Sequence, residues 1–188
     1  MAASVDDNAL ALQRLYHWES TTPDRVAYTQ PLGKEGGGQV ATYTWRQVMD
    51  QSRRMAAHLK AQGIAPGDRV AILSKNTAHW LMTDFAIWLA GAVSVPLYPT
   101  LAAGTIRQIL EHSGARLLFV GKLDGWEGMK PGIPAGLPCI GLPLAPDDAK
   151  KSYPAWDEIV AKTEPVKGNP VRPADELATI MYTSGTTG

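Results

Sequence analysis

Hydrophobic and polar positions follow two alternating patterns along the middle of the chain. Three stretches carry apolar residues at helical spacing, over 44–62, 77–90 and 100–113. Each is followed by a short apolar run of the kind that forms a strand buried on both faces, at 69–74, 93–97 and 116–120. This alternation predicts a mostly parallel sheet flanked by helices, an α/β fold whose core spans 44–120.

Capping residues predict the ends of these helices. Side chains that can accept a hydrogen bond from the first turn precede them, at Thr44, Asn76 and Thr100. Glycines that can close the last turn follow them, at Gly63, Gly91 and Gly114. Thr44 is followed three residues later by Gln47, and this pair predicts a reciprocal capping box.

The chain before this core is predicted to be a helix and a hairpin, which together make up residues 1–43. The helix spans 9–19, and Asp7 or Asn8 is its expected cap. Alternating and β-branched residues around a glycine-rich turn predict the hairpin. Its two strands are expected at 26–30 and 39–43.

We interpret residues 121–176 as a proline-rich connection, because nine of the 14 prolines lie there. A strand over 137–142 and a short helix over 153–162 are predicted within it. The stretch 165–173 is predicted to be extended and to resemble a linker.

Composition narrows the class of protein. Lys plus Arg number 18 and Asp plus Glu number 18, so the net charge is zero and we expect no nucleic-acid partner. The single cysteine, Cys139, cannot form an internal disulfide, and the polar N-terminus lacks the apolar run of a signal peptide. These features favour a cytoplasmic protein.

One stretch, 85–106, is long enough to cross a membrane, because it holds 22 residues without a charge. Glycines and prolines interrupt it, at Gly91, Pro96, Pro99 and Gly104. We therefore expect a buried helix, a buried strand and a turn, and no transmembrane segment.

The last unit, 177–188, carries the chemistry. A buried final strand is predicted over 176–182, and a run of hydroxyl residues and glycines follows it directly: Thr183, Ser184, Gly185, Thr186, Thr187 and Gly188. Glycine lets the backbone approach a ligand closely, and successive amides with hydroxyl side chains can bind an anion. Ligands of open α/β sheets bind beyond the carboxyl ends of the strands. An ordinary Ser/Thr/Gly-rich turn also fits this composition.

The other side chains that could serve as catalytic or metal-binding groups show no partner at a recognisable spacing. The histidines are expected on helix surfaces or partly buried, at His17, His58, His79 and His112. Cys139 has no basic neighbour in sequence, which predicts a buried, inert thiol. We therefore predict no catalytic and no metal-binding residue in these 188 residues.

Four motifs, in chain order, resemble those of the adenylate-forming enzymes, the superfamily of acyl-CoA synthetases, peptide-synthetase adenylation domains and luciferases. The motifs are Tyr43–Val48, Gly67–Ile72 followed by Asn76, Leu89–Leu97 and Tyr182–Gly188. They extend from Tyr43 to the last residue. The stretches from Asn76 to Gly91 and from Val95 to Thr100 are similar to the long-chain fatty-acid branch.

This resemblance implies that residues 1–188 are an incomplete N-terminal part of the large domain of a long-chain fatty-acid–CoA ligase. In that family the loop holds the phosphates of ATP while a carboxylate is adenylated, and Thr183–Gly188 inherit the role by position. The groups that bind adenine, ribose and magnesium, and the catalytic lysine, have no counterpart here. A longer parent is therefore expected to use ATP, Mg²⁺, CoA and a fatty acid. Peripheral association with a membrane is compatible with this expectation. Residues 1–188 alone are expected to be inactive.

Two alternatives stay open at the level of the sequence. The acceptor thiol is carried by a protein in fatty-acyl-AMP ligases and carrier-protein-loading enzymes, and the residues that meet the acceptor lie downstream. A different class is a non-catalytic α/β module that binds a nucleotide with the same loop. A reading frame that continues after Gly188 with Pro-Lys-Gly would exclude this module.

Overall fold

Helices and strands alternate along the computed structural model, which describes residues 6–33 and 38–183. Its α-helices are α1 (Ala11–Thr21), α2 (Trp45–Ala61), α3 (Ala78–Leu89), α4 (Ala103–Ser113), α5 (Trp126–Met129), α6 (Asp147–Ser152) and α7 (Trp156–Lys162). Its strands are β1 (Val26–Pro31), β2 (Val40–Thr44), β3 (Arg69–Leu73), β4 (Val93–Leu97), β5 (Leu117–Val120) and β6 (Cys139–Gly141). Single 3₁₀ turns lie at Asp7–Ala9 and Lys130–Gly132.

Four strands form a parallel sheet in the spatial order β4-β3-β5-β6. The first of them in the chain, β3, is interior: Val70 lies opposite Ser94 of β4 and Leu117 of β5. The predicted parallel arrangement of the three core strands is therefore confirmed.

Helices cover both faces of this sheet. Successive side chains of a strand point to opposite faces. Val70 and Ile72 accordingly pack in a core with residues of α1, α2, α3 and α7. Ala71 and Leu73 pack in a second core with residues of α4, α5 and α6. All four side chains are fully buried, as their unbroken apolar run predicts.

The hairpin and the capping box are also confirmed. β1 and β2 pair antiparallel. Directly after β2, the Gln47 amide donates to Thr44 Oγ1 at 3.3 Å, and the Thr44 amide donates to Gln47 Oε1 at 2.9 Å. The helix that this box opens, α2, ends before Gly63, which adopts the left-handed conformation that favours glycine.

Two predicted caps of core helices are wrong. Thr77, not Asn76, caps α3, because its hydroxyl accepts the Trp80 amide at 3.0 Å. The N-cap of α4 is Ala102, which offers no side-chain acceptor, so Thr100 lies two residues too early. A turn after Tyr98 precedes this helix, with the Leu101 amide bonded to the Tyr98 carbonyl.

The predicted start of α1 is also wrong. The Asp6 carboxylate accepts from both the backbone and the side-chain amide of Asn8, and the Ala9 amide donates to the Asp6 carbonyl. These bonds stabilise the separate turn Asp7–Ala9, so neither Asp7 nor Asn8 caps the helix. The N-cap is Leu10, and α1 begins at Ala11.

The proline-rich stretch holds more structure than its composition predicts. The predicted strand and helix are present as β6 and α7, each shorter than expected, and α5 and α6 are additional. Trp156, the first residue of α7, is fully buried, and its indole N–H donates to Gln51 Oε1 at 2.9 Å. Residues 121–162 therefore contribute side chains to both cores.

Residues 163–176 contain no helix or strand. One backbone bond, from the Val166 amide to the Arg53 carbonyl at 3.2 Å, and several side chains hold them. Arg53 of α2 is 8% exposed, and its guanidinium donates to the Gly168 carbonyl at 2.6 Å and to Asn169 Oδ1 at 2.7 Å. It also pairs with both carboxylate oxygens of Glu19 and lies 5.3 Å from the centre of the Tyr16 ring. One buried cation thus connects α1, α2 and this stretch.

The uncharged stretch 85–106 lies mostly in the interior, as α3, β4 and the first turn of α4. Exposed residues are confined to its end, from Tyr98 to Thr105, and among them Tyr98 is a large side chain at 59% exposed. Within 6–33 and 38–183, no helix combines the length and apolar character that a membrane crossing requires.

Candidate functional site

The extended segment 177–182 leads into the predicted loop. It runs parallel to β4, with the Ser94 amide donating to the Ala178 carbonyl at 3.0 Å and the Ile180 amide donating to the Ser94 carbonyl at 2.9 Å. Parallel pairing directs the chain toward the carboxyl end of the sheet, where ligands of α/β proteins bind.

The predicted buried final strand is wrong, because the pairing stops after the single bridge between Ser94 and Thr179. The next donor on this edge of β4 would be residue 96, which is a proline and has no N–H. Without that bond the ladder cannot continue. Leu177 and Met181 are 54% and 69% exposed, so the segment is a half-covered edge.

Side chains compensate for the short ladder. The Trp88 indole N–H, from α3, donates to the Ala178 carbonyl at 3.1 Å. Arg172 donates to the Ala92 carbonyl at 2.9 Å and to the Leu177 carbonyl at 3.1 Å, and its third contact is the Glu176 carboxylate. These contacts fasten the segment to α3 and to the start of β4.

Tyr182 marks the end of the segment. Its half-buried side chain, with that of Ile180, packs against the core between the sheet and α4. Its phenol oxygen lies 2.6 Å from His112 Nδ1 in the last turn of α4, and the two rings meet edge to face. Sequence spacing gave no indication of this pair, which lies 70 residues apart.

Of the predicted phosphate-binding residues, the structure places Thr183, which is exposed directly after Tyr182. The other five, Ser184, Gly185, Thr186, Thr187 and Gly188, lie outside the described residues. The whole set offers hydroxyl and amide donors and contains no carboxylate, so its chemistry fits an anionic phosphate group.

A buried carboxyl group lies beside the segment. Asp84 of α3 is 9% exposed, and burial raises its pKa to about 6, although a hydrogen bond with the Ser94 hydroxyl lowers it in part. Ser94 is the residue of β4 that pairs with the segment. Asp84 is not among the residues predicted from the sequence, although an acid within an almost wholly apolar helix is a recognisable signal.

The remaining titratable groups in the two cores have structural environments. His79 is buried between Tyr43 and Trp156, which it meets edge to face, and burial lowers its pKa to about 4. Burial raises the pKa of the Cys139 thiol to about 11, in keeping with the predicted inert thiol. Within the described ranges, no three His, Cys, Asp or Glu side chains are grouped so as to hold a metal ion.

Comparison with known proteins identifies relatives along almost the whole chain. A family described as AMP-binding enzyme matches residues 15–188. A fatty acid–[acyl-carrier-protein] ligase of Streptomyces coeruleorubidus is 38% identical over 147 residues, which are 78% of this chain and 27% of that protein. A long-chain-fatty-acid–CoA ligase of Mycobacterium bovis is 31% identical over 192 residues, 97% of this chain and 30% of that protein. The chain thus spans less than a third of these relatives.

The fold has relatives among solved structures. An acyl-CoA synthetase of Brucella canis superimposes with a TM-score of 0.73 over 90% of this chain and 30% of that one, at 24% identity. This likeness confirms the α/β fold of an adenylate-forming enzyme. Together with the family match over residues 15–188, it establishes that the chain belongs to the AMP-binding enzyme family.

Proposed function

We propose that the protein containing this chain is a long-chain fatty-acid–CoA ligase, in which Thr183–Gly188 bind the phosphates of ATP. The observation that carries the proposal is the path of 177–183, which is fastened to α3 and β4 and directed toward the carboxyl end of the parallel sheet. A donor-rich loop that follows such a path is suited to an anionic ligand.

The proposed reaction has two steps. A carboxylate oxygen of the fatty acid attacks the α-phosphorus of ATP, and the bond to pyrophosphate breaks, which gives an acyl adenylate. The sulfur of CoA then attacks the acyl carbon, and AMP leaves as the thioester forms. Loop amides and hydroxyls would stabilise negative charge on the phosphates during the first step. Mg²⁺ would add positive charge there.

The acyl substrate is proposed from the relatives. Both the Streptomyces and the Mycobacterium bovis proteins are named as ligases of fatty acids, and the second is named for long chains. The motifs 76–91 and 95–100, which resemble the long-chain branch, lie in α3, β4 and the turn before α4.

Fatty-acid-dependent exchange of pyrophosphate into ATP tests the first step. The full-length protein is expected to catalyse this exchange with palmitate, and residues 1–188 alone are not, because the groups expected to bind adenine, ribose and magnesium are absent from them. Exchange by residues 1–188 would contradict that part of the proposal. Failure of the full-length protein with every carboxylate tested would contradict the whole of it.

A substitution in the loop tests the role of Thr183. Thr183→Val keeps the shape and removes the hydroxyl, and it should lower exchange by the full-length protein at least about tenfold, the value of one hydrogen bond to a charged group. Thr42→Val, at an exposed position of β2, is the matched control and should leave exchange unchanged. Equal rates in both variants would remove Thr183 from the site.

A carrier protein is the second candidate acceptor, favoured by the name of the Streptomyces relative. The acyl adenylate would then react with the thiol of a carrier protein in place of CoA. Supplying each acceptor separately and detecting the thioester by mass spectrometry distinguishes the two. Formation of acyl-CoA supports the proposal, and exclusive transfer to the carrier protein overturns its second step.

A further inference from the structure

The hydrogen bond between His112 and Tyr182 occupies a distinctive position. Residues 181 and 182 end the extended segment, and Thr183 begins the loop. The backbone of these three residues makes no hydrogen bond to any other described residue. The last backbone bond belongs to Ile180, since Pro96 cannot donate the next one. The bond to His112 is therefore the nearest polar contact to the start of the loop within the described chain.

The two ends of this bond differ in how firmly they are held. The ring of His112 is exposed, but its backbone belongs to the last turn of α4, whose other face is buried through Ile109 and Leu110. Tyr182 has no such framework and relies on ring packing and on its phenol group. The helix is thus the fixed partner, and the tyrosine is the group that it positions.

We propose that His112 is a positioning residue for the phosphate-binding loop: by holding the phenol of Tyr182, it fixes the point at which Thr183 begins the loop. This inference rests on the proposed function. His112 acts through Tyr182 and touches no substrate. Its benefit is that one end of the loop is held before ATP binds, which lowers the entropy that binding must overcome.

The hydrogen bond between His112 and Tyr182 can form whether or not Nδ1 carries a proton. A neutral Nδ1 accepts the phenol O–H, and an Nδ1–H donates to the phenol oxygen, so either form can make the bond. An asparagine at position 112 presents an amide atom near the place of Nδ1 and can replace the contact. A phenylalanine keeps the ring and loses the contact.

The test uses the full-length enzyme and the KM values for ATP and for fatty acid in the exchange reaction. His112→Phe and Tyr182→Phe should each raise the KM for ATP about three- to tenfold, the range of a single hydrogen bond, with kcat and the KM for fatty acid unchanged. The double variant should be no worse than either single one, because both remove the same bond. His112→Asn should restore most of the loss.

His17→Phe is the matched control, because His17 is an exposed histidine on α1 whose ring contacts only Trp18 among the aromatic residues described. It should change neither KM. A lower kcat with an unchanged KM for ATP would indicate loss of folded enzyme and would overturn the positioning role, as would additive effects of the two substitutions. If the unaltered enzyme shows no exchange, the proposed function fails and takes this inference with it.

Discussion

The core over 44–120 and the stretch over 163–183 are stabilised in different ways. In the core, three parallel strands share continuous ladders, which β6 extends from outside this range, and their side chains are buried on both faces. In the later stretch, single side chains bond to backbone carbonyls: Arg53 to Gly168, Arg172 to Leu177 and Trp88 to Ala178. Stability is therefore distributed in the first region and concentrated at a few residues in the second.

This difference predicts different responses to substitution. Loss of one apolar side chain weakens a distributed core in proportion to the cavity that it leaves. Loss of one anchor frees a whole stretch of chain and also leaves its former partners unsatisfied. Native-state proteolysis distinguishes the two outcomes, because a released stretch becomes cleavable while the rest of the chain stays folded.

The largest effect is expected at Trp156, which lies outside 44–120 yet is packed like a core residue. Trp156→Ala should lower the free energy of unfolding by about 4 kcal/mol, because it leaves a large cavity and removes the partner of Gln51. Urea denaturation measures this change. Trp18→Ala, at a partly exposed position of α1, should cost clearly less. Equal costs would show that α7 is only loosely attached.

Arg53 should be the most sensitive anchor. Arg53→Met should lower the free energy of unfolding by about 3 kcal/mol, because the Glu19 carboxylate loses its partner and residues 168–169 lose their donors. Proteolytic cleavage within 163–176 should increase under native conditions. Arg46→Met breaks the exposed pair with Asp24 and should leave both measurements unchanged. Unchanged cleavage in Arg53→Met would contradict the anchor.

Helix α3 carries two buried titratable groups, His79 and Asp84, and their effects on stability have opposite signs. His79 faces Tyr43 and Trp156, and its pKa of about 4 lies below the ordinary 6.5. The unfolded chain therefore binds this proton more tightly, and lowering the pH from 7 to 4 should cost about 3 kcal/mol of stability. His79→Phe should remove this acid sensitivity, as measured by urea denaturation at both pH values.

Asp84, beside Ser94, should do the reverse. Its pKa of about 6 exceeds the ordinary 3.8, so the native state binds the proton more tightly and its stabilising contribution is lost as the pH rises. Between pH 4 and pH 7 this loss should amount to about 2 kcal/mol. Asp84→Asn should therefore gain stability relative to the unaltered chain over that range. A variant whose stability follows the unaltered chain at both pH values would show that Asp84 is not desolvated.

The smallest effect concerns two threonines that the sequence treats alike. Thr44→Ala removes the hydroxyl that accepts the Gln47 amide and should cost about 1 kcal/mol, while the bond from the backbone amide of residue 44 to Gln47 remains available. Thr100→Ala should cost nothing measurable, because α4 begins after Ala102 without a side-chain cap. Thermal unfolding of the two variants provides the comparison. A cost at Thr100 similar to that at Thr44 would contradict the observed start of α4.

The periodic part of the fold was predictable, because its causes are local. The apolar runs at 69–74, 93–97 and 116–120 each contain a strand, and the box at Thr44 and Gln47 forms as the sequence indicates. The loop at Thr183–Gly188 was proposed from contiguous residues, and its role stays a prediction.

The contacts that hold the approach to that loop were not predictable. His112 and Tyr182 are 70 residues apart, and Arg53 and Gly168 are 115 apart, so no spacing relates them. The expected final strand does not form because Pro96 of β4 has no N–H to donate to it. The sequence of 176–182 alone does not reveal this, because the proline lies in the neighbouring strand. Asp84 was missed because its significance depends on burial beside Ser94.

The hydrogen bond from the Tyr16 phenol to the Pro170 carbonyl joins residues separated by 154 positions. At a translation rate of about 5–20 residues per second, roughly 8–30 s pass between the synthesis of these two partners. During that interval α1 has been synthesised, but the stretch around Pro170 that it contacts has not. The interior strand β3 is likewise synthesised before both of its neighbours, β4 and β5. The early elements of the nascent chain are therefore expected to lack their packing partners until the later ones have been synthesised.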